Sequence, residues 1–293
     1  MIFTTGLGIP EGPLLLPDGS WLVTEMSLAR GTVTRVSADG KTHSVVAHTG
    51  RPNGLALTAD GAIWVCESLE PALIRLELTG EKEDVLTAID GVPLLWPNDL
   101  CVGPDGALYA TDSGIRLFDF VDESEGPVPH WSTLDYDGKV FRYDPRTREA
   151  WFLDDGYQFT NGIAFGPDGL LYANESVTGN IYRYRLDGAG RVAGGRELFA
   201  NVLDPAWTGE GMRGPDGMAF SEDGRLWCTV FGQGDVAVLG PDGGVLERIA
   251  AQGAAPSNLA FGRAGEGRIY VVEDEHGRME TYDVGVDGLA LHV

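Results

Sequence analysis

Cysteine is scarce in this chain. There are three, Cys66, Cys101 and Cys228, each inside an apolar strand-like run, and the number is odd. That argues against a disulfide framework or a thiolate cluster and reads as reduced, buried small hydrophobes in a cytoplasmic protein. Positive charge is scarce too: 21 Lys and Arg stand against 44 Asp and Glu, a formal net charge of −23. Phosphate backbones would be repelled, so nucleic acid is excluded as a partner. No apolar run approaches the roughly 18 residues of a membrane span. The start, Met1-Ile2-Phe3-Thr4-Thr5-Gly6, lacks the basic and then apolar pattern of a secretory signal.

Glycine, by contrast, is abundant. The 42 glycines and 16 prolines are spread evenly along 293 residues, which suggests many tight turns and an all-β protein. Six segments repeat one pattern: Pro10-Glu11-Gly12-Pro13-Leu14, Pro52-Asn53-Gly54-Leu55-Ala56, Pro97-Asn98-Asp99-Leu100-Cys101, Thr160-Asn161-Gly162-Ile163-Ala164, Pro215-Asp216-Gly217-Met218-Ala219 and Pro256-Ser257-Asn258-Leu259-Ala260. Five run into an Asp-Gly turn, the sixth into Gly265-Glu266-Gly267, and each then meets an aromatic-bearing strand such as Ile63-Trp64-Val65 or Leu226-Trp227-Cys228. Each unit is therefore a β-hairpin. The second residues stand at 11, 53, 98, 161, 216 and 257, with spacings of 42, 45, 63, 55 and 41. A period near 42 with about four strands per unit is that of a β-propeller blade. The expectation is one domain over residues 1–293, a six-bladed β-propeller whose last blade borrows Ile2-Phe3-Thr4-Thr5. The long spacings hold insertions around 118–131 and 203–213, read as walls or lids over one mouth of the ring.

The innermost strand of each propeller blade lines the central channel. Six side chains should then converge: Glu11, Asn53, Asn98, Asn161, Asp216 and Ser257. All are oxygen donors, and none is His or Cys. That set suits a hard divalent cation, calcium first, with zinc, manganese or magnesium as alternatives. Fourteen residues further on lies a second column, Glu25, Glu67, Asp112, Glu175 and Val230, with Glu273 as the sixth equivalent. Its acids either orient the Asn amides or form a solvated rim. The five histidines occupy no aligned position, although His130 and His276 sit on loops that could reach a mouth.

At these motifs the sequence resembles the regucalcin/gluconolactonase family, lactonohydrolases that include diisopropylfluorophosphatase. Pro10-Glu11-Gly12-Pro13, Pro97-Asn98-Asp99-Leu100, Thr160-Asn161-Gly162-Ile163-Ala164-Phe165 and Pro215-Asp216-Gly217-Met218-Ala219-Phe220 carry the resemblance, over about residues 5 to 275. It implies a central metal held by Glu11, Asn161 and Asp216. Asn98 is implied to bind that metal or to contact substrate beside it, while Asn53 and Ser257 are not carried over. The implied activity is hydrolysis of sugar-acid lactones, with phosphotriester hydrolysis as a variant of the same site. Asp216 is the expected base as well as a ligand, assisted by Asn98. Where the family has Arg two residues before the third motif's Asn, this chain has Trp96. Trp96 and Trp207, with Tyr157 and Phe159 beside them, are then the expected apolar walls, and Arg51 and Arg213 the nearby cations. Trp96 also makes a more apolar lactone or ester a competing substrate. A non-catalytic calcium-binding or protein-interaction propeller is the alternative from another class.

Overall fold

The computed structural model describes residues 1–292. Its frame is six four-stranded antiparallel sheets, five of them runs of consecutive strands. Blade one holds Pro10–Leu15, Trp21–Glu25, Thr32–Val36 and His43–His48, and the next four blades repeat that order. Blade six holds Pro256–Phe261, Arg268–Glu273 and Arg278–Asp283, and its outer strand is the N-terminal Ile2–Thr5, paired antiparallel to Arg278–Asp283. Each innermost strand contacts those of the blades before and after it, and Pro256–Phe261 returns to Pro10–Leu15, so the ring closes. The expected six-bladed all-β architecture, with its N-terminal closing strand, is observed.

The hairpin turns follow from their sequence. At Asp105-Gly106, Gly106 takes φ +75° and donates its N–H to Gly103 O, while Asp105 accepts Ala107 N at 3.2 Å and Tyr109 OH at 3.1 Å. Asp168-Gly169 repeats this geometry with Tyr172. The Asp caps the turn, the Gly supplies the left-handed residue and the strand's own tyrosine ties them down.

Burial explains why the sheets stack as blades. The second strands of blades one to four are buried throughout, whereas the outer His43–His48 and Lys82–Leu86 are largely exposed and polar. Apolar side chains from adjacent blades fill the wedges between them: Trp64, Leu73, Leu100, Leu108 and Phe141 between blades two and three, and Tyr172, Met218, Phe220 and Leu226 between four and five. Cys66 and Cys228 are buried among these residues, as expected, while Cys101 is partly exposed. Charged outer edges discourage further strand pairing. No helix among the described residues is long and apolar enough to cross a membrane.

Candidate functional site

Every innermost strand breaks register just after its channel residue, at Glu11/Leu14, Pro52/Leu55, Pro97/Leu100, Thr160/Ile163, Pro215/Met218 and Pro256/Asn258. A bulge re-aims the side chain beside it. The glycine that follows the channel residue permits close approach of the next blade. A Cβ on Gly12 would lie 2.6 Å from Asn53 O, and one on Gly162 would lie 2.2 Å from Asp216 O.

Adjacent blades are latched at the same level. Thr24 Oγ1 donates to Asn53 O at 2.8 Å, Thr111 Oγ1 to Asn161 O at 2.6 Å, Asn174 Nδ2 to Asp216 O at 2.6 Å and Thr229 Oγ1 to Ser257 O at 2.8 Å. Four of the six channel residues thus have their carbonyls held by the preceding blade.

Two serines fix the amides. Ser113 Oγ donates to Thr160 O at 3.0 Å and Ser176 Oγ to Pro215 O at 2.8 Å. Each hydroxyl has spent its proton, so it can only accept from the neighbouring amide. Asn98 Nδ2 donates to Ser113 at 3.0 Å and Asn161 Nδ2 to Ser176 at 3.2 Å. Both Oδ1 atoms are left without a protein donor. Ser257 differs: its hydroxyl is engaged by Pro10 O at 2.9 Å and Asp274 at 3.1 Å.

The carboxylates complete the set. Glu11 is buried and accepts hydrogen bonds from Gly12 N and, at 2.8 Å, Asn258 Nδ2. Burial, followed by the charge of Asp99, pushes its pKa well up. Asp216 is the one channel residue of the six that is not fully buried. Its pKa is also pushed well up, by desolvation and then by Glu11, Asp274 and Asp99. Crowded carboxylates without a counter-charge favour the protonated form, and a cation among them reverses that. Two carboxylates, two amides turned oxygen-first and no thiolate or imidazole fit a hard divalent ion. If such an ion binds, Glu11, Asn98, Asn161 and Asp216 would be the residues to hold it.

Two further residues stand at this level. Asp99 and Asn258 stand where four of the six blades carry glycine, and the glycine of the preceding blade makes room for each. A Cβ on Gly54 would lie 2.4 Å from Asp99 Oδ1, and one on Gly217 would lie 2.0 Å from Asn258 Cγ. Burial holds Asp99 at about 7, opposed by hydrogen bonds from Leu100, Ile163 and Asn258. The break in the repeat, Asn98-Asp99 and Ser257-Asn258 in place of a polar residue followed by Gly, was the available signal.

The second acidic column corrects both readings given to it. Glu25, Glu67, Asp112, Glu175 and Glu273 are buried, so they form no solvated rim, and none bonds an Asn amide of the ring. Four of them hold the backbone that enters their own blade's innermost strand. Glu25 accepts Gly8 N at 2.7 Å, Glu67 accepts Arg51 N at 2.6 Å, Asp112 accepts Leu95 N at 2.7 Å and Trp96 N at 3.1 Å, and Glu273 accepts Ala255 N at 3.3 Å.

The insertions meet above this end of blade three. Trp96, Ile115, Leu117, Phe120, Val121 and Phe159 form one cluster, with Met212 of the second insertion against it. Glu125, on the first insertion, accepts Leu28 N of blade one at 2.8 Å. Trp96 is 3% exposed, edge-on to Phe120 and Phe159. The expectation of an open wall at Trp96 is therefore corrected: the first insertion covers the ring, which supports its neighbours. Arg213 is likewise engaged inside its own loop, stacked on Trp207 at 4.6 Å and donating to Asp204 O at 2.9 Å. Trp207 remains partly exposed. Of the histidines, His130 is exposed and His276 bonds Glu273 at 3.0 Å.

Known proteins agree with this architecture. The model of the SMP-30/Gluconolactonase/LRE-like region matches residues 9–273. A gluconolactonase of Zymomonas mobilis is 32% identical over 220 residues, 73% of this chain and 58% of that protein. A 6-deoxy-6-sulfogluconolactonase of Pseudomonas putida is 34% identical over 151 residues, 50% of this chain and 49% of that protein. The chain thus spans about half the length of these curated relatives. A calcium-binding regucalcin of Agrobacterium tumefaciens shares the fold, with a TM-score of 0.77 at 18% identity, covering 100% of this chain and 98% of that one. With the family model matched from the first channel motif through the last, the chain belongs to the SMP-30/gluconolactonase/LRE-like family.

Proposed function

We propose that the protein is a lactonase that opens a sugar-type lactone at a divalent cation in the central channel. The observation that carries this reading is the pairing of Glu11 and Asp216 with the two serine-locked amides of Asn98 and Asn161. Relatives that are a gluconolactonase and a 6-deoxy-6-sulfogluconolactonase support the substrate class. Calcium is the first choice on an all-oxygen donor set. Such an ion, when bound, would polarise the lactone carbonyl and acidify a water.

The chain's own residues do the rest. Asp216, the most accessible of the six, takes the proton of the attacking water. Attack on the carbonyl carbon breaks the ring C–O bond, and the proton returns to the departing ring oxygen. Asn98 Oδ1 orients substrate or water beside Asp216. Asn161 and Glu11, pinned by Ser176 and Asn258, hold the rest of the set fixed.

The test is hydrolysis of glucono-δ-lactone with and without chelator, in the native protein and in Asp216→Ala. Activity that needs the cation and vanishes in the variant supports the reading. Activity surviving both treatments rejects it. If a broad panel of lactones, esters and phosphotriesters goes unhydrolysed while cation is bound, the protein is a binding module.

A further inference from the structure

The molecule has three buried arginines, and two are paired with carboxylates. Arg142 meets Asp105 at 2.7 Å and Asp144 at 3.5 Å, and Arg278 meets Glu280 at 2.7 Å and Glu273 at 3.5 Å. The third, Arg51, is 4% exposed, and among the described residues no carboxylate oxygen comes within 4.0 Å of its guanidinium. Its side chain makes one long polar contact, Nη1 to Ser68 Oγ at 3.4 Å.

A guanidinium carries five N–H donors in a rigid fork. Leaving most of them unmatched in a buried site is costly. Burial already lowers the Arg51 pKa to about 10, opposed by the more distant charges of Asp274, Glu125 and Glu67. The unmatched nitrogens are not sealed in, whereas Arg278 Nη2 is.

The side chain is also built into place. Its backbone N–H is fixed by Glu67 at 2.6 Å, and its carbonyl accepts Ser68 N at 3.2 Å and Ser68 Oγ at 2.9 Å. The guanidinium lies over the Trp96 ring, 4.9 Å from the centroid. Arg51 stands two residues before Asn53, and Trp96 two before Asn98. The charges that act on it come from blade six (Asp274) and from the first insertion (Glu125). It is therefore a preorganised cation next to the channel positions of blades two and three, and the charges that act on it are all acidic.

We propose that Arg51 is an anion subsite that grips a carboxylate borne by the substrate, so that the preferred lactones carry a free acid group as well as the ring. A carboxylate matches the guanidinium fork with two parallel hydrogen bonds, and Trp96 supports the fork from behind. This inference rests on the lactonase reading. A neutral lactone satisfies that reading equally well, so the two can fail separately.

The experiment compares D-glucaro-1,4-lactone, which carries a carboxylate, with neutral glucono-δ-lactone, in native protein, Arg51→Met and Arg51→Lys. Native protein should favour the acidic lactone in kcat/KM. Arg51→Met should lower the acidic-to-neutral ratio of kcat/KM at least tenfold, mainly through KM, with Arg51→Lys between. Calorimetric titration with glucarate, the dicarboxylate product, should show binding to native protein at least tenfold tighter than to Arg51→Met. The Tm of Arg51→Met should be unchanged or raised, because no ion pair is lost. A ratio unchanged by the substitution, equal glucarate binding, or a large fall in Tm would each overturn the subsite in favour of a structural cation. Hydrolysis of neither lactone, with glucarate still bound through Arg51, would reject the lactonase reading and leave the anion site standing.

Discussion

Replacing Ser176 with alanine removes a group that touches the proposed cation site without belonging to it. Ser176 is buried, accepts Asn161 Nδ2 at 3.2 Å and donates to Pro215 O at 2.8 Å. Two hydrogen bonds go, each worth about 1 kcal/mol net, and a buried carbonyl is left unmatched, so the loss is about 2–3 kcal/mol. For a chain of this size that lowers Tm by about 3–5 °C. The second consequence is specific. Without the serine, the Asn161 amide keeps only its contact to the Asp216 carboxylate to orient it, and cation affinity should fall by about 10–100-fold, as for other groups that orient ligands. Ser221→Ala is the control. Ser221 is equally buried, accepts Trp227 Nε1 at 3.0 Å and donates to Asp223 at 2.6 Å, but it lies beyond the far end of its innermost strand, in the turn. It should lose comparable stability and leave the calcium titration unchanged. Calorimetric calcium titration and thermal unfolding in chelator read the two effects separately. If Ser176→Ala unfolds earlier but binds calcium like the native protein, the argument from amide orientation is wrong.

Three further outcomes follow from the same geometry. Gly162→Ala should cost about 3 kcal/mol in urea unfolding, because its Cβ would meet Asp216 O at 2.2 Å, whereas Gly169→Ala, with open space but φ +75°, should cost only about 1–2 kcal/mol. Thr111→Val keeps the packing but removes the donor to Asn161 O and the acceptor for Asp99 N at 3.0 Å, and should lower stability by about 2 kcal/mol. Asp274 is pushed up to about 8, chiefly by burial. Its folded pKa lies above the unfolded value, so in chelator native stability should fall as pH rises from about 4 to about 8. Asp274→Asn cannot ionise and should make that slope in Tm measured against pH shallower, leaving the share of Glu11, Asp99 and Asp216.

The repeat was legible because a hairpin is a local object. Asp105-Gly106 closes its turn with atoms from within a few residues, and no distant part of the chain is needed to recognise it. Alignment of six such hairpins gave the six channel positions, and the family resemblance singled out Glu11, Asn98, Asn161 and Asp216 among them. The acidic column was misread because pairing tells which strand a residue occupies and not what covers it. The neighbouring blades bury Glu67 and Asp112, and the partners left to them are backbone N–H groups of the incoming loops. Trp96 was misplaced for a related reason. Phe120 covers it, and Phe120 belongs to an insertion whose path no local pattern states.

Asp99 and Asn258 mark where more could have been read. Each needs a glycine in the blade before it, and the sequence supplies Gly54 for one and Gly217 for the other. The two belong to blades three and six, which a six-fold ring sets opposite each other, and Asn258 is among the groups that stabilise the Asp99 carboxylate. The same amide donates to Glu11. The glycine replaced in two opposite blades thus joins a proposed ligand to a third carboxylate through one asparagine. Asn258→Leu, similar in volume, should leave Glu11 without its side-chain donor and weaken calcium binding. Asn53→Leu, whose native side chain makes no hydrogen bond to another described residue, should disturb it less. Equal losses in the two variants would show that the bridge through Asn258 does not act on the cation site.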